Sequence, residues 1–242
     1  PEHSHIPLTR NSPWPQGGEL PKKYFQVMDP FVTLTAAAGA TSSLKIGTGI
    51  CLVPQRDVFQ TAKSVASLDV ISGGRFLFGI GAGWNTDEMI NHGVDPSSRM
   101  KLMREKIEAM RVIWRDETPE YHGELVHFGP MQTWPKPLRA PPVYLGGAFP
   151  YGARRALRYA DAWLPHARRP TYHILEKLPE FRAMEREAGH QIPITVFGGE
   201  QDPEMLKQYA DAGIERVVIN IEPMGRDESL AKLDEWVAAG IV

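Results

Sequence analysis

The sequence predicts an α/β protein, a (β/α)8 barrel of the TIM type, and three observations carry that reading. Short apolar segments of strand length alternate with segments of helical period. Residues 44–88 read strand, helix, strand and glycine-rich loop, which is a parallel βαβ unit. Six strands and about six helices can be counted, and the segment at Pro1 reads as the end of a seventh strand. A barrel lacking its first strand, first helix and most of its second strand in this chain accounts for that count, with residues 1–242 as one domain. The alternative is a doubly wound open sheet. Against it, Gly79-Ile80-Gly81 lacks the third glycine of a dinucleotide fingerprint, and no acidic residue closes a following strand.

Pro1-Glu2-His3-Ser4-His5-Ile6-Pro7 has neither a charged n-region nor an apolar h-region, so it is no secretory signal. Residues 8–28, rich in Pro and Gly and carrying Trp14, Tyr24 and Phe25, predict a long loop of the kind that covers a site. Asp29-Pro30 opens a helix to about Thr41, with Asp as N-cap and Pro where its missing N–H costs nothing. Residues 44–53, apolar and rich in β-branched side chains, predict a strand. From Asp57 to Ile71, Phe59, Ala62, Val65, Leu68 and Ile71 recur every three residues, the stripe of a helix lying on a sheet; Ser72-Gly73-Gly74 stops it. Asp69 and Arg75 are expected to pair across that turn.

Residues 76–81 predict a strand buried on both faces that runs into Ala82-Gly83-Trp84-Asn85. Residues 86–96 read as a connector with Glu88 as a helix-start acid or, alternatively, a pocket residue, and Met103, Ile107, Met110 and Trp114 set a helix over 98–115. Residues 121–128 read as a small excursion. Pro135, Pro137, Pro141 and Pro142 force an extended approach to a strand at 143–145, which enters Gly146-Gly147-Ala148 and a helix at 151–159. Strands follow at 162–164, 194–197 and 217–221, and helices at 172–188, 203–213 and 227–239.

Composition narrows the function. With 42% hydrophobic and 23% charged residues, disorder and membrane spanning are both disfavoured. A net charge of −2 offers no field for nucleic acid or an anionic membrane. The single cysteine, Cys51, falls in a predicted buried strand and reads as inert packing in a reducing cytoplasm. His3 and His5 alternate on one strand face, but no third ligand stands at plausible spacing, so no metal is expected.

Three motifs carry a resemblance: residues 41–49 (TSSLKIGTG), residues 66–75 (ASLDVISGGR) and residues 79–85 (GIGAGWN). Glu2-His3, residues 141–147 (PPVYLGG) and residues 154–163 (RRALRYADAW) add to it. Together they resemble the luciferase-like monooxygenase family, in its branch of coenzyme F420-dependent oxidoreductases, over nearly all of the chain to about Pro165.

The resemblance implies a barrel whose mouth holds a flavin or deazaflavin. It places a non-proline cis peptide at Gly49-Ile50 beneath the ring, with Thr48 beside it. Trp84 and Asn85 would line the pocket by stacking and hydrogen bonding, and the cofactor phosphate would lie on Gly146, Gly147 and Ala148. Glu2 and His3 would be the catalytic pair. Members that oxidise sugar phosphates carry a glutamate where this chain has Trp84, which speaks against a phosphosugar substrate.

The implied activity is hydride transfer between F420 and a small organic substrate. The alternatives are an FMN-dependent monooxygenase served by a separate reductase and a flavin-binding protein without turnover. A flavin or F420 reductase is an implied partner, and a homodimer is expected across the open barrel edge.

Overall fold

The computed structural model describes residues 2–241, so the sequence reading of Pro1 falls outside them. The chain divides after Val143 into two compact units, taken here in turn.

In the first unit, α1 (Pro30–Ala40) starts as its sequence predicts: the Asp29 carboxylate accepts from the N–H groups of Phe31 at 2.8 Å and Val32 at 3.1 Å. The strand read at 44–53 is in fact two, β1 (Ile46–Gly47) and β2 (Cys51–Leu52). After α2 (Val58–Ile71), capped by Asp57, β3 (Phe76–Gly81) pairs in parallel with both. Ile46 stands opposite Phe76 and Cys51 opposite Ile80. Five residue steps therefore face four, a bulge that breaks the ladder where the chain turns toward the site.

The stretch read as a connector contains a helix, α3 (Thr86–Asn91). Its six residues are too few to display a helical stripe. α4 (Arg99–Arg115) buries Met103, Ile107 and Met110 as the sequence predicts, and the excursion is a hairpin of β4 (Tyr121–His122) and β5 (His127–Phe128). The buried Glu105 carboxylate pins that hairpin by accepting from the N–H groups of Leu125 at 2.7 Å and Val126 at 3.1 Å.

The expected pairing of Asp69 with Arg75 is not formed. Asp69 Oδ2 accepts from Leu138 N at 2.8 Å, while Arg75 donates to the carbonyls of Ala38, Thr41, Leu44 and Ser72. The guanidinium gains more from four helix-end and strand-entry carbonyls than from one carboxylate already taken. Cys51 is wholly buried, and burial pushes its thiol well above the ordinary value, so it is inert packing as predicted.

The second unit runs β6 (Val143–Gly146), α5 (Tyr151–Tyr159), β7 (Ala162–Leu164), β8 (Arg168–Arg169), β9 (Tyr172–His173), α6 (Ile174–Ala188), β10 (Thr195–Phe197), α7 (Pro203–Asp211), β11 (Arg216–Val218) and α8 (Arg226–Ala238). β6 pairs with β7 and β10 with β11, all in parallel, and single parallel bridges join Trp163 to Ile194 and His166 to Phe197. The helix read at 172–188 begins two residues late, because Tyr172 and His173 pair with Arg169 and Arg168. No helix among the described residues is long and apolar enough to cross a membrane.

His166, just past β7, sets its ring edge against Phe197 at 5.4 Å. Burial, with the nearby Arg169 charge, pushes its imidazole down to about 4. Above the ordinary histidine value both folded and unfolded chains hold it neutral. Between that value and about 4 only the unfolded chain takes the proton, so stability falls as pH drops through this window. We expect a loss of up to roughly 3 kcal/mol across it. Urea unfolding of His166→Gln should show a correspondingly shallower pH dependence, and an unchanged slope would refute the assignment.

Candidate active site

The site in the first unit is assembled from three segments far apart in sequence. β3 runs out through Ala82-Gly83-Trp84, and Asn85 then caps α3, its Oδ1 accepting from Glu88 N at 3.4 Å. The cap fixes the first turn of α3 and so carries Glu88 inward, where it is fully buried. Glu88 Oε2 lies 2.6 Å from His3 Nδ1, and Oε1 accepts from Ser4 N at 3.2 Å. A carboxylate only accepts, so Nδ1 carries the proton and Nε2 is left as the working nitrogen of His3.

Glu2, the other half of the expected catalytic pair, is differently employed. Its carboxylate accepts from Leu52 N and from Arg56 Nε, and Arg56 also reaches Asp29 Oδ2 at 2.6 Å. Glu2 is therefore tied to β2 and, through Arg56, to the cap of α1. Its charge is matched, which makes it an anchor for the backbone that carries His3.

Residues 8–28 form the cover the sequence suggests. Ser12 Oγ donates to Asp87 Oδ2 at 2.8 Å and accepts from Thr86 N at 2.9 Å, and Asp87 also accepts from Asn11 N and Ser12 N at 3.1 Å. The Ser12 hydroxyl, first among these bonds, holds the Asp87 carboxyl below its ordinary value. Tyr24 comes within 5.5 Å of the His3 ring and Trp84 within 5.7 Å, with the Arg10 guanidinium 5.7 Å from the Trp84 ring. His3 also lines a cavity of about 340 Å³, with Glu2, Leu52, Gln55, Arg56 and His92 among the other lining residues.

The other expected residues divide between the units. Thr48 donates its hydroxyl to Gly79 O at 2.6 Å and is buried beside the bulge. The Gly49-Ile50 peptide is cis, as the resemblance implied, and the Ile50 side chain lies against Gly81 so closely that a Cβ there would collide with it. In the second unit, Gly146, Gly147 and Ala148 lead from β6 into α5. Gly147 O accepts from Trp163 Nε1 at 2.9 Å, Gly152 N donates to Ala148 O at 2.6 Å, and a Cβ on Gly152 would stand 2.7 Å from Gly147 Cα.

Two observations fit a polar ring system held in the first unit. Asn85 Nδ2 and Gln55 Nε2 are buried donors without a hydrogen-bond partner among the described residues. The sequence had singled out Asn85 but not Gln55. It also missed what Glu88 does, since the partner of Glu88 stands 85 residues away.

A family model described as luciferase-like monooxygenase matches residues 16–212. The chain belongs to the luciferase-like monooxygenase family. An uncharacterized protein of Mycobacterium tuberculosis is 35% identical over 248 residues, which cover 98% of this chain and 86% of that one. The F420-dependent hydroxymycolic acid dehydrogenase of M. tuberculosis is 28% identical over 144 residues, 58% of this chain and 40% of its own. Among solved structures, an F420-dependent secondary alcohol dehydrogenase in complex with an F420-acetone adduct superposes with a TM-score of 0.66 at 20% identity, over 80% of this chain and 78% of that one. That likeness bears on fold alone, and the fold is the α/β barrel of luciferase-like enzymes. Luciferase-like proteins are oxidoreductases and monooxygenases, and a flavin-type cofactor accords with the buried donors of this site.

Proposed function

We propose that this luciferase-like protein is a coenzyme F420-dependent oxidoreductase that moves a hydride to or from a small organic substrate. The observation that carries the reading is the His3–Glu88 pair, buried to 4% and 0% side-chain exposure, with Tyr24 and Trp84 against the His3 ring and His3 lining the cavity. Bound there, F420 would supply a hydride acceptor or donor. Asn85 and Gln55 offer it the two unpartnered amide donors, and Thr48, Gly49 and Ile50 line the strand break beside them. Trp84 offers an aromatic face. Taken by itself, the second unit offers Gly146, Gly147 and Ala148 at the start of α5 as the proposed seat of a phosphate, favoured by the helix dipole.

His3 handles the proton that accompanies the hydride. When a hydroxyl-bearing substrate is oxidised, its O–H proton passes to Nε2 as the C–H hydride departs; in reduction the proton returns. Glu88 keeps Nδ1 protonated and the ring oriented, and stabilises the imidazolium formed. Tyr24 and Trp84 exclude water from that exchange.

Fluorescence titration of the purified chain with F420 and with FMN, at matched concentrations, tests the proposal. Preference for F420 and substrate-dependent bleaching of its absorbance are expected. Preference for FMN with oxygen consumption would replace the reading by reductase-served monooxygenation, and tight binding without any turnover would make the protein a flavin binder.

A further inference from the structure

Beside the redox site stands a second cluster that shares Glu88 with it and adds two histidines the proposed reaction does not use. Glu88 and His92 are four residues apart on α3 and its C-cap, so they project from one helix face. His5, from the segment that carries His3, joins them. One nitrogen from each histidine and one Glu88 oxygen lie within 4.8 Å of one another. The His5 and His92 rings lie with centroids 5.5 Å apart, tilted by 48°. Between them the Ser4 hydroxyl sits 2.8 Å from His5 Nδ1 and 2.7 Å from His92 Nε2.

We infer that His5, Glu88 and His92 form a binding site for a divalent first-row cation of the zinc class. Two imidazoles and one carboxylate are a donor set that such ions take in open, three-ligand sites, with one position left to water. Two nitrogen donors disfavour calcium and magnesium, which take oxygen ligands. The surrounding bonds suit the role. His5 Nε2 lies 2.9 Å from Asn91 Oδ1, an acceptor that holds a proton on Nε2 and leaves Nδ1 with its lone pair toward the cluster. Glu88 is steadied by Ser4 N and His3.

Ligands at about 2.1 Å in a tetrahedron stand roughly 3.4 Å apart, so the cluster closes by small rotations of two exposed side chains. The Ser4 hydroxyl occupies the space between the rings and would yield it to the ion. A cation there ties residues 2–5 to α3 and competes with His3 for Glu88. The site thus sits where metal can regulate the redox pair.

The test is zinc binding to the chelator-stripped chain, without cofactor, in competition with a chromophoric chelator. One equivalent per chain is expected, weakened about 100-fold or more by His5→Ala and by His92→Ala, since each removes a ligand. His122→Ala, an exposed histidine on β4, should leave the affinity unchanged. Zinc should also raise the melting temperature of the parent and not of His5→Ala, a variant at an exposed position that leaves the core intact. The proposal is overturned if the parent binds zinc no more tightly than the chain lacking both His5 and His92, or if His122→Ala weakens binding as much as they do. Because no cofactor is present, that failure would leave the F420 reading untouched.

Discussion

Turnover of the cofactor-loaded chain should fall about 100- to 10,000-fold in His3→Ala, the range general acid–base catalysis contributes, while cofactor affinity stays within a few-fold of the parent. The separation follows from geometry. His3 lies at the cavity with its Nδ1 fixed on Glu88 at 2.6 Å, so only its Nε2 is offered to a reactant. In the proposed reading, binding of a ring system rests instead on Asn85, Gln55 and the strand break.

Glu88→Gln distinguishes positioning from chemistry. The amide retains an acceptor for Nδ1 but cannot offset an imidazolium and can hold the wrong tautomer, so kcat should drop by up to about 10,000-fold, as for the orienting carboxylate of a catalytic triad, with KM little changed. Stopped-flow measurement of cofactor bleaching, with a binding titration of each variant, reads both quantities. Turnover of His3→Ala within threefold of the parent would remove His3 from the mechanism. Equal loss of binding and turnover would make His3 a structural residue.

Gly152→Ala should destabilise the fold by about 3 kcal/mol, the upper range for overpacking. A Cβ on Gly152 would stand 2.7 Å from Gly147 Cα and closer still to its carbonyl group. The carbonyl has no freedom to retreat. It accepts from Trp163 Nε1 at 2.9 Å, and Trp163 is wholly buried with its ring 4.7 Å from that of Phe181. Urea unfolding is the measurement, and a loss below about 1 kcal/mol would mean that the turn after β6 adapts more readily than its packing implies. Gly147→Ala should cost less, since its Cβ meets Gly152 Cα at 2.9 Å and the Leu145 side chain only at 3.7 Å.

Where the fold was legible in advance, the signal was local. The cap at Asp29 and the Met103–Ile107–Met110 stripe are decided by residues within a turn or two, and each appears as expected. Departures come where a distant partner intervenes. The run at 44–53 reads as continuous because its bulge exists only in register against β3. Arg75 and Asp69 are near neighbours in sequence, yet Arg75 finds carbonyls at residues 38, 41 and 44 and Asp69 finds Leu138.

The candidate site divides in the same way. Motif resemblance reached Glu2, His3, Trp84, Asn85 and the cis peptide at Gly49-Ile50, because these lie in short stretches with fixed order. It did not reach the pairing of Glu88 with His3, which stands 85 residues away, nor the cluster that Glu88 and His92 form with His5. The sequence by itself determined the alternation of strands and helices, the helix caps and the family. Only the tertiary structure decided which charges meet, because a buried carboxylate is satisfied by whatever donor packing brings within about 3 Å, and spacing along the chain does not encode that distance.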